Sequence, residues 1–337
     1  VGSPEFCNEH TQGRVSKACR VPEALGELPD PQVALQLLRN CASFGKMVFS
    51  IRAVPSSFHA TALRSFDDQV RACFENFSCL HPDNEQWAQA SLCTNSGGLG
   101  LRSLAQHSHA AFLASRSSCV ELCQKLDPEH TFESTAGAQL APECVAFSAY
   151  NQSVNDDDRL PPVSDKLSQK ALSQGIDKRT LAQLRHDAGQ SRRDHLDLVC
   201  KGSGSHWHAA PSKTAGLYTE PSLFVGTLRR WLRIRFSDVD AECPLCDGIL
   251  DGYGDHALVC CGGGDRTRRH NLLRNMVYHA AEAANHRPEL ERPGLLPQRP
   301  LLGSTYENGS ALNEHDSRPG ARRPADVYIP RWRLGPP

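Results

Sequence analysis

Four side chains that can ligate a metal lie within 18 residues of this 337-residue chain, at the spacing Cys243-x2-Cys246-x9-His256-x3-Cys260. Tetrahedral zinc takes four thiolate or imidazole ligands, and a two-residue gap lets both sulfurs of one turn reach the same ion. Three glycines in the range 247–255 can turn the chain back between the ligand pairs. A closed set of four protein ligands leaves no position for water, so the spacing predicts a structural zinc ion rather than a catalytic one.

Other interpretations of this cluster stay open at the level of the sequence. The thiols can be buried free cysteines beside a surface histidine, and Cys261 can replace Cys260 as the fourth ligand. A zinc deaminase also uses a Cys-x-x-Cys pair, but it needs an upstream His-x-Glu that this chain lacks. Zinc binding of about 10 to 16 kcal/mol exceeds what a short polar segment gains from burial, so we expect the metal to stabilise this segment.

Charge and composition narrow the class of protein. The 37 Lys and Arg residues balance 38 Asp and Glu residues, so any nucleic-acid contact must come from local basic patches.

The length predicts two domains, and the scattered positions of the 14 Cys residues favour a reducing compartment over a secreted disulfide framework. The chain contains no apolar run long enough to span a bilayer, which predicts no membrane partner. The first Met is Met47, so we expect Val1 to be an internal residue of a longer protein.

Apolar residues recur every three to four positions over much of the chain, which predicts a mainly α fold. The predicted helical segments are 31–77, 101–126, 165–174, 178–186, 224–236 and 266–287. Asp177 is the expected N-cap of the fourth segment. We expect a surface loop from 127 to 165, a Gly- and Pro-rich connector from 202 to 216, an irregular stretch over 288–324 and a short strand over 326–330.

Basic residues flank the Cys and His cluster on both sides. The candidate nucleic-acid-binding residues are Arg229, Arg230, Arg233, Arg235, Arg266, Arg269 and His270. Arginines beside a compact metal module are typical of phosphate contacts, which give sequence-independent and salt-dependent affinity. The alternative is a solvated helix face, which the acidic residues between Asp238 and Asp265 favour.

Segments from both halves of the chain resemble one family, the reverse transcriptases of non-LTR retrotransposons. The segments that resemble the end of the palm and the thumb are Val1–Phe6, Leu37–Arg39, Phe49–Pro55 and Gly97–Ser103. The segments that resemble the zinc knuckle and the start of a restriction-like endonuclease are Cys243–Cys260, Arg269–Asn271 and Arg323–Val327. They follow the order of the family, and the C-terminal motifs are the more specific ones.

The resemblance implies both an architecture and a set of partners. It implies the end of a palm with a helical thumb-like region, a helical linker with loops, a basic helix with a CCHC zinc knuckle, and a truncated α/β restriction-endonuclease-like element, at 1–126, 127–222, 223–264 and 265–337. The parent protein would nick DNA and extend the cut end on an RNA template. DNA, RNA and the rest of the parent polypeptide would then be its partners, in the nucleus.

Two departures from the family limit the chemistry that we expect. The polymerase signature, an aromatic residue followed by any residue and two aspartates, is absent, so its magnesium-binding palm is expected upstream of Val1 or lost. Asp326 matches the first metal carboxylate of the family's nuclease, and Glu291 or Glu289 is the candidate second ligand for magnesium. The acidic residue and the lysine expected on the next strand do not follow, and one carboxylate cannot hold a catalytic magnesium ion.

We therefore expect a nucleic-acid-binding polypeptide that neither polymerises nor cleaves by itself. One alternative is a magnesium-dependent, DNA-nicking endonuclease that a partner chain or a dimer completes. A second alternative is a decayed copy of the mobile element without activity.

Overall fold

The computed structural model describes residues 2–129, 141–161, 166–200, 207–208, 213–214, 216–292, 295 and 325–330. These residues form mostly helices, as the sequence predicted. The chain divides into two compact units, Val1–Ser237 and Asp238–Pro337. The segment 223–264 is shared between them, because its basic helix belongs to the first unit and its Cys and His cluster to the second.

The first unit is built from helices. They are α1 (Pro4–Gly26), α2 (Pro31–Leu37), α3 (Phe44–Ala53), α4 (Ser56–Ser78), α5 (Asn84–Ser91), α6 (Leu104–Gln124), α7 (Pro142–Gln152), α8 (Gln169–Asp187), α9 (Gln190–Val199) and α10 (Pro221–Trp231). Polar side chains start several of them: Asp30 accepts from the first turn of α2, and Asp83 forms a capping box with Gln86 in α5. None of the described helices is long and apolar enough to cross a membrane.

Helix α4 carries the central apolar stripe of the first unit. The buried side chains of this stripe recur at the predicted three-to-four spacing and are Ala62, Phe66, Val70, Cys73 and Phe77. Helices α1 and α6 pack against α4. Burial of each large apolar side chain stabilises such a core by about 1.5 to 3 kcal/mol. The predicted pattern over 31–77 is divided into α2, α3 and α4, with a π-helical turn at Leu38–Ala42 after α2 and Pro55 directly before α4.

The surface loop predicted over 127–165 is wrong in part, because α7 lies inside it. Tyr150 of α7 is 1% exposed and packs with Leu172 and Ile176 of α8 in a second apolar cluster. Its hydroxyl donates to the Leu172 carbonyl at 3.4 Å, and burial raises the pKa of Tyr150 to about 12. The polar residues of this segment and the Pro161-Pro162 pair led to the prediction of a loop. The contact with α8 stabilises the helix.

The two short helices predicted over 165–174 and 178–186 are one continuous helix, α8. Asp177, the expected N-cap, lies inside it and is 3% exposed. Its carboxylate accepts from Arg102 at 3.2 Å and lies 3.7 Å from Nε2 of the buried His107. An aspartate in a helix interior resembles a cap in the sequence, and only its tertiary partners on and beside α6 reveal the different role.

Asp67 of α4 caps the neighbouring helix α6. One carboxylate oxygen accepts from the Leu104 N–H at 2.8 Å, and the other accepts from the Ala105 N–H at 3.0 Å and from the Ser103 hydroxyl at 2.6 Å. Burial raises the pKa of Asp67 to about 6 against these hydrogen bonds. The side chain therefore joins two core helices through otherwise orphaned backbone donors.

We expect Asp67→Ala to lower the free energy of unfolding by roughly 2 to 3 kcal/mol, because it leaves the part-buried N–H groups of Leu104 and Ala105 without this partner. Asp68 is exposed on the same helix, so Asp68→Ala is the matched control and should change stability by less than about 0.5 kcal/mol. Urea unfolding followed by tryptophan fluorescence measures both. Equal effects of the two variants would contradict the proposed cap.

The second unit combines two small antiparallel strand pairs with two helices. Its elements are β1 (Ala241–Glu242), β2 (Ile249–Leu250), α11 (Asp255–Val259), α12 (Asp265–Ala283), β3 (Glu289–Arg292) and β4 (Ala325–Tyr328). The predicted helix over 266–287 and the predicted strand over 326–330 correspond to α12 and β4. The irregular stretch predicted over 288–324 is wrong at its start, because β3 pairs with β4, a distant segment that sequence periodicity does not reveal. Most of that stretch, like most of the predicted connector at 202–216, lies outside the described residues.

Candidate metal centre

The four predicted ligands come together in the second unit. The ligand atoms of Cys243, Cys246, His256 and Cys260 all lie within 4.8 Å of one another. The Cys260 Sγ atom is 3.8 Å from the Sγ of Cys243 and 3.7 Å from the Sγ of Cys246. The Cys246 Sγ atom is 3.3 Å from Nε2 of His256. The described part of the chain therefore contains a Cys3His group that can hold one metal ion.

A short hairpin positions the first two cysteines. Strands β1 and β2 pair antiparallel, and the Cys243 N–H donates to the Gly248 carbonyl at 2.9 Å. The Gly248 N–H lies 3.4 Å from the Cys246 Sγ and donates to it. A Cβ atom at Gly248 would lie 2.5 Å from Cε1 of His256, so only glycine lets the hairpin approach the imidazole this closely.

Asp251 fixes the start of α11, the helix that carries His256. One carboxylate oxygen accepts from the N–H groups of Tyr253 at 3.0 Å and Asp255 at 3.1 Å, and the other accepts from the His256 N–H at 2.7 Å. Burial opposes the charge of Asp251, but its backbone hydrogen bonds together hold the pKa of this carboxyl below its usual value. This role of Asp251 was not predicted from the sequence, although an aspartate just before a glycine and a helix start is a known turn and capping signal.

The local backbone also affects the charge of the thiols. The Leu245 N–H lowers the pKa of Cys243 to about 6, which favours the thiolate form that binds metals. The Gly262 N–H lowers the pKa of Cys260, but burial and the neighbouring sulfurs outweigh it, so this pKa is raised. A bound cation would remove that repulsion, because a metal ion favours the deprotonated form of each sulfur.

Cys261 is not part of this group. Its side chain is exposed, and its Sγ atom lies 3.7 Å from the Val259 carbonyl and 3.7 Å from the Arg266 guanidinium. The geometry therefore selects Cys260 as the fourth member and removes the alternative that the sequence left open.

The first predicted arginine cluster belongs to the first unit, where Arg229 and Arg230 lie in the last turn of α10 and Arg233 and Arg235 follow the helix. Arg233 is 8% exposed and donates to the Ser191 hydroxyl at 2.9 Å. Arg229 donates to the Arg235 carbonyl at 2.6 Å, and Arg235 donates at 2.9 Å to the carbonyl two residues further on. The side chains of Arg229, Arg230 and Arg235 are half-buried. These contacts give the cluster a structural role at the end of α10 that the sequence analysis did not assign.

The second arginine cluster lies on the first turns of α12, close to the metal group in the same unit. Arg266, Arg268 and His270 are exposed there. Arg269 is half-buried and donates to the Leu258 carbonyl of α11. Arg269 therefore ties α12 to the helix that carries His256, while Arg266 and Arg268 present their charge to solvent.

The two candidate nuclease carboxylates lie on neighbouring strands. The antiparallel register of β3 and β4 places Glu291 opposite Asp326. Arg274 donates to Glu291 at 2.7 Å, and Nε2 of His270 lies 3.5 Å from the Asp326 carboxylate. Among the described residues, neither carboxylate belongs to a group of three or more ligands that can hold a metal ion, so the geometry does not support the expected magnesium site.

Comparison with protein-family models and with curated proteins found no match for this chain. The resemblance to non-LTR retrotransposon reverse transcriptases stays a prediction.

Proposed function

We propose that the Cys3His group binds one structural zinc ion and that the unit around it binds nucleic acid through phosphate contacts. In this proposal the chain is the C-terminal part of a non-LTR retrotransposon reverse transcriptase, with a thumb-like first unit and with β3 and β4 as opening elements of a restriction-like endonuclease. It acts in the nucleus with DNA, RNA and the rest of the parent polypeptide. It neither polymerises nor cleaves by itself.

The distances between ligand atoms support zinc as the metal. Zn–S bonds of about 2.3 Å in a regular tetrahedron place two sulfurs about 3.8 Å apart. The Cys260 sulfur lies 3.8 Å and 3.7 Å from the sulfurs of Cys243 and Cys246. Three soft thiolates and an imidazole suit zinc better than magnesium or calcium, which prefer oxygen ligands.

The exposed charge of α12 supports nucleic acid as the partner, and this single observation carries the proposal. Arg266, Arg268 and His270 are exposed on a helix that Arg269 ties to α11. Cations held on a rigid module neutralise phosphates and release counterions, which gives an affinity that depends on salt rather than on base sequence. The arginines at the end of α10 and just after it are less suited to this role, because the guanidinium groups of Arg229, Arg233 and Arg235 already donate to backbone carbonyls and to Ser191.

We expect the double variant Arg266→Ala/Arg268→Ala to bind nucleic acid more weakly and with a smaller salt dependence. If each arginine contacts one phosphate, the slope of log affinity against log salt concentration should fall in magnitude by about 2 for duplex DNA. Fluorescence anisotropy with a labelled duplex and a labelled RNA hairpin, at several salt concentrations, measures this slope.

The matched control is Arg287→Ala, because Arg287 is exposed beyond the other end of α12. It should leave most of the slope intact, and all variants should carry the same zinc content. Absence of binding at low salt would refute the proposed partner. An unchanged slope in the double variant would refute α12 as the contact surface.

A further inference from the structure

Two thiols from distant parts of the first unit meet at one residue. Cys93 lies just before the 3-10 turn Thr94–Ser96, and its Sγ atom donates to the Ser96 hydroxyl at 3.2 Å. Cys200 ends α9, and its Sγ atom donates to the Ser96 carbonyl at 3.2 Å. Both side chains are half-buried, and both sulfurs contact the same residue, Ser96.

The turn also anchors α10, because Gly97, directly after it, contacts Trp231 at the end of that helix. The carbonyl of Gly97 accepts from the indole N–H of Trp231 at 2.9 Å and from the Gln89 amide at 3.1 Å. The same Gln89 amide donates to the Trp231 carbonyl at 3.0 Å. A Cβ atom at Gly97 would lie 3.2 Å from the Cys200 Sγ, so the end of α9 closely contacts this anchor. A covalent bond here would join α9 to the turn that holds α10.

We propose that Cys93 and Cys200 form a redox-sensitive disulfide lock between the end of α9 and the turn after α5. The reduced thiols are the resting state in a reducing compartment, and a peroxide is the oxidant. One thiol loses its proton, and the thiolate attacks a peroxide oxygen; the O–O bond breaks, a sulfenic acid forms, and the leaving hydroxide takes up the released proton to give water. The second sulfur attacks this sulfenic acid, the S–O bond breaks, a second water leaves and the S–S bond forms. The pair loses two electrons, and the peroxide gains them.

Partial burial of Cys93 and Cys200 affects how fast their thiols react with an oxidant. Burial raises the pKa of Cys200, which slows reaction of that thiol with general oxidants in solution. Once one sulfur is oxidised, its neighbour reacts within the same site, where the effective concentration is high. The positions lie far apart in the sequence, so a cross-link between them should restrict the unfolded chain strongly and raise the melting temperature by roughly 5 to 10 °C.

The test uses the intact, zinc-loaded chain of 337 residues, treated with limited hydrogen peroxide and then alkylated. Peptide mass mapping without reductant should find the Cys93–Cys200 cross-link, and the melting temperature should rise and return to its original value after dithiothreitol. Cys200→Ser should abolish the cross-link and the reversible rise. The matched control is Cys119→Ser/Cys123→Ser, which removes two thiols of α6 and should retain both effects.

Two results would overturn the proposal. One is the recovery of Cys93 and Cys200 as separately alkylated or over-oxidised peptides under conditions in which other thiols have reacted. The other is a reversible rise in melting temperature that persists in Cys200→Ser, because it would assign the stabilisation to another pair.

Discussion

Lowering the pH from 7 to 4.5 should destabilise the first unit by an amount on the order of 5 kcal/mol. Three of the buried histidines of this unit, His59, His107 and His195, have a pKa low enough to keep the ring neutral at pH 7. Burial lowers the pKa of His59 to about 4, that of His107 to about 3 and that of His195 to about 4. Nearby arginines contribute to the shifts of His107 and His195.

The sign follows from proton binding in the two states. Between about pH 4 and 6.5 the unfolded chain protonates these histidines, whereas the native state keeps them neutral, so stability is lost as the pH falls through this range. At pH 4.5 each ring contributes a loss of about 2 to 3 kcal/mol, because one pKa unit corresponds to 1.36 kcal/mol. Asp67 opposes this trend, since its raised pKa of about 6 lets the native state bind a proton before the unfolded state does. The net loss is a large fraction of the 5 to 15 kcal/mol that stabilises typical proteins.

Urea unfolding at several pH values between 7.5 and 4.5 measures this effect. His107→Gln should reduce the slope of stability against pH, because His107 is 1% exposed and is the ring with the lowest pKa of the three. His81→Gln is the control, since the His81 side chain is 80% exposed and should leave the slope unchanged. A stability that stays constant down to pH 5 would contradict the proposed linkage.

Removal of the metal should unfold the segment around the Cys3His group while the first unit stays folded. Among residues 238–264, Gly252 and Cys260 are the buried positions, so this segment has almost no apolar core of its own. Structural zinc supplies about 10 to 16 kcal/mol in comparable small modules, which is more than so few buried residues can contribute. The loss should therefore be all-or-none for the segment.

Elemental analysis of the purified protein should find one zinc ion per chain. After chelation, hydrogen exchange should lose amide protection in β1, β2 and α11 but keep it in α4 and α6. Cys246→Ser should have the same effect without a chelator. The matched control is Cys261→Ser, which alters an exposed thiol outside the group and should keep the zinc. A substoichiometric metal content, or unchanged protection after chelation, would refute the zinc assignment.

The four members of the Cys3His group could be predicted from the sequence because they are local. All four lie within 18 residues, and their spacing already limits how far apart the side chains can be. The choice of Cys260 over Cys261 needed the structure, because two adjacent residues at the end of a helix point in different directions. The role of Asp251 depended on its hydrogen bonds to the start of α11.

The sequence by itself determined the helical class and the buried stripe of α4, since a period of 3.6 residues is a property of neighbouring positions. Only the tertiary structure decided that α7 exists, that Asp177 pairs with Arg102 inside α8, and that β3 joins β4. The same holds for Arg233, which looked like a surface cation and is buried against Ser191. Each of these outcomes depends on a partner far away along the chain, and a local pattern carries no information about which distant residue will supply it.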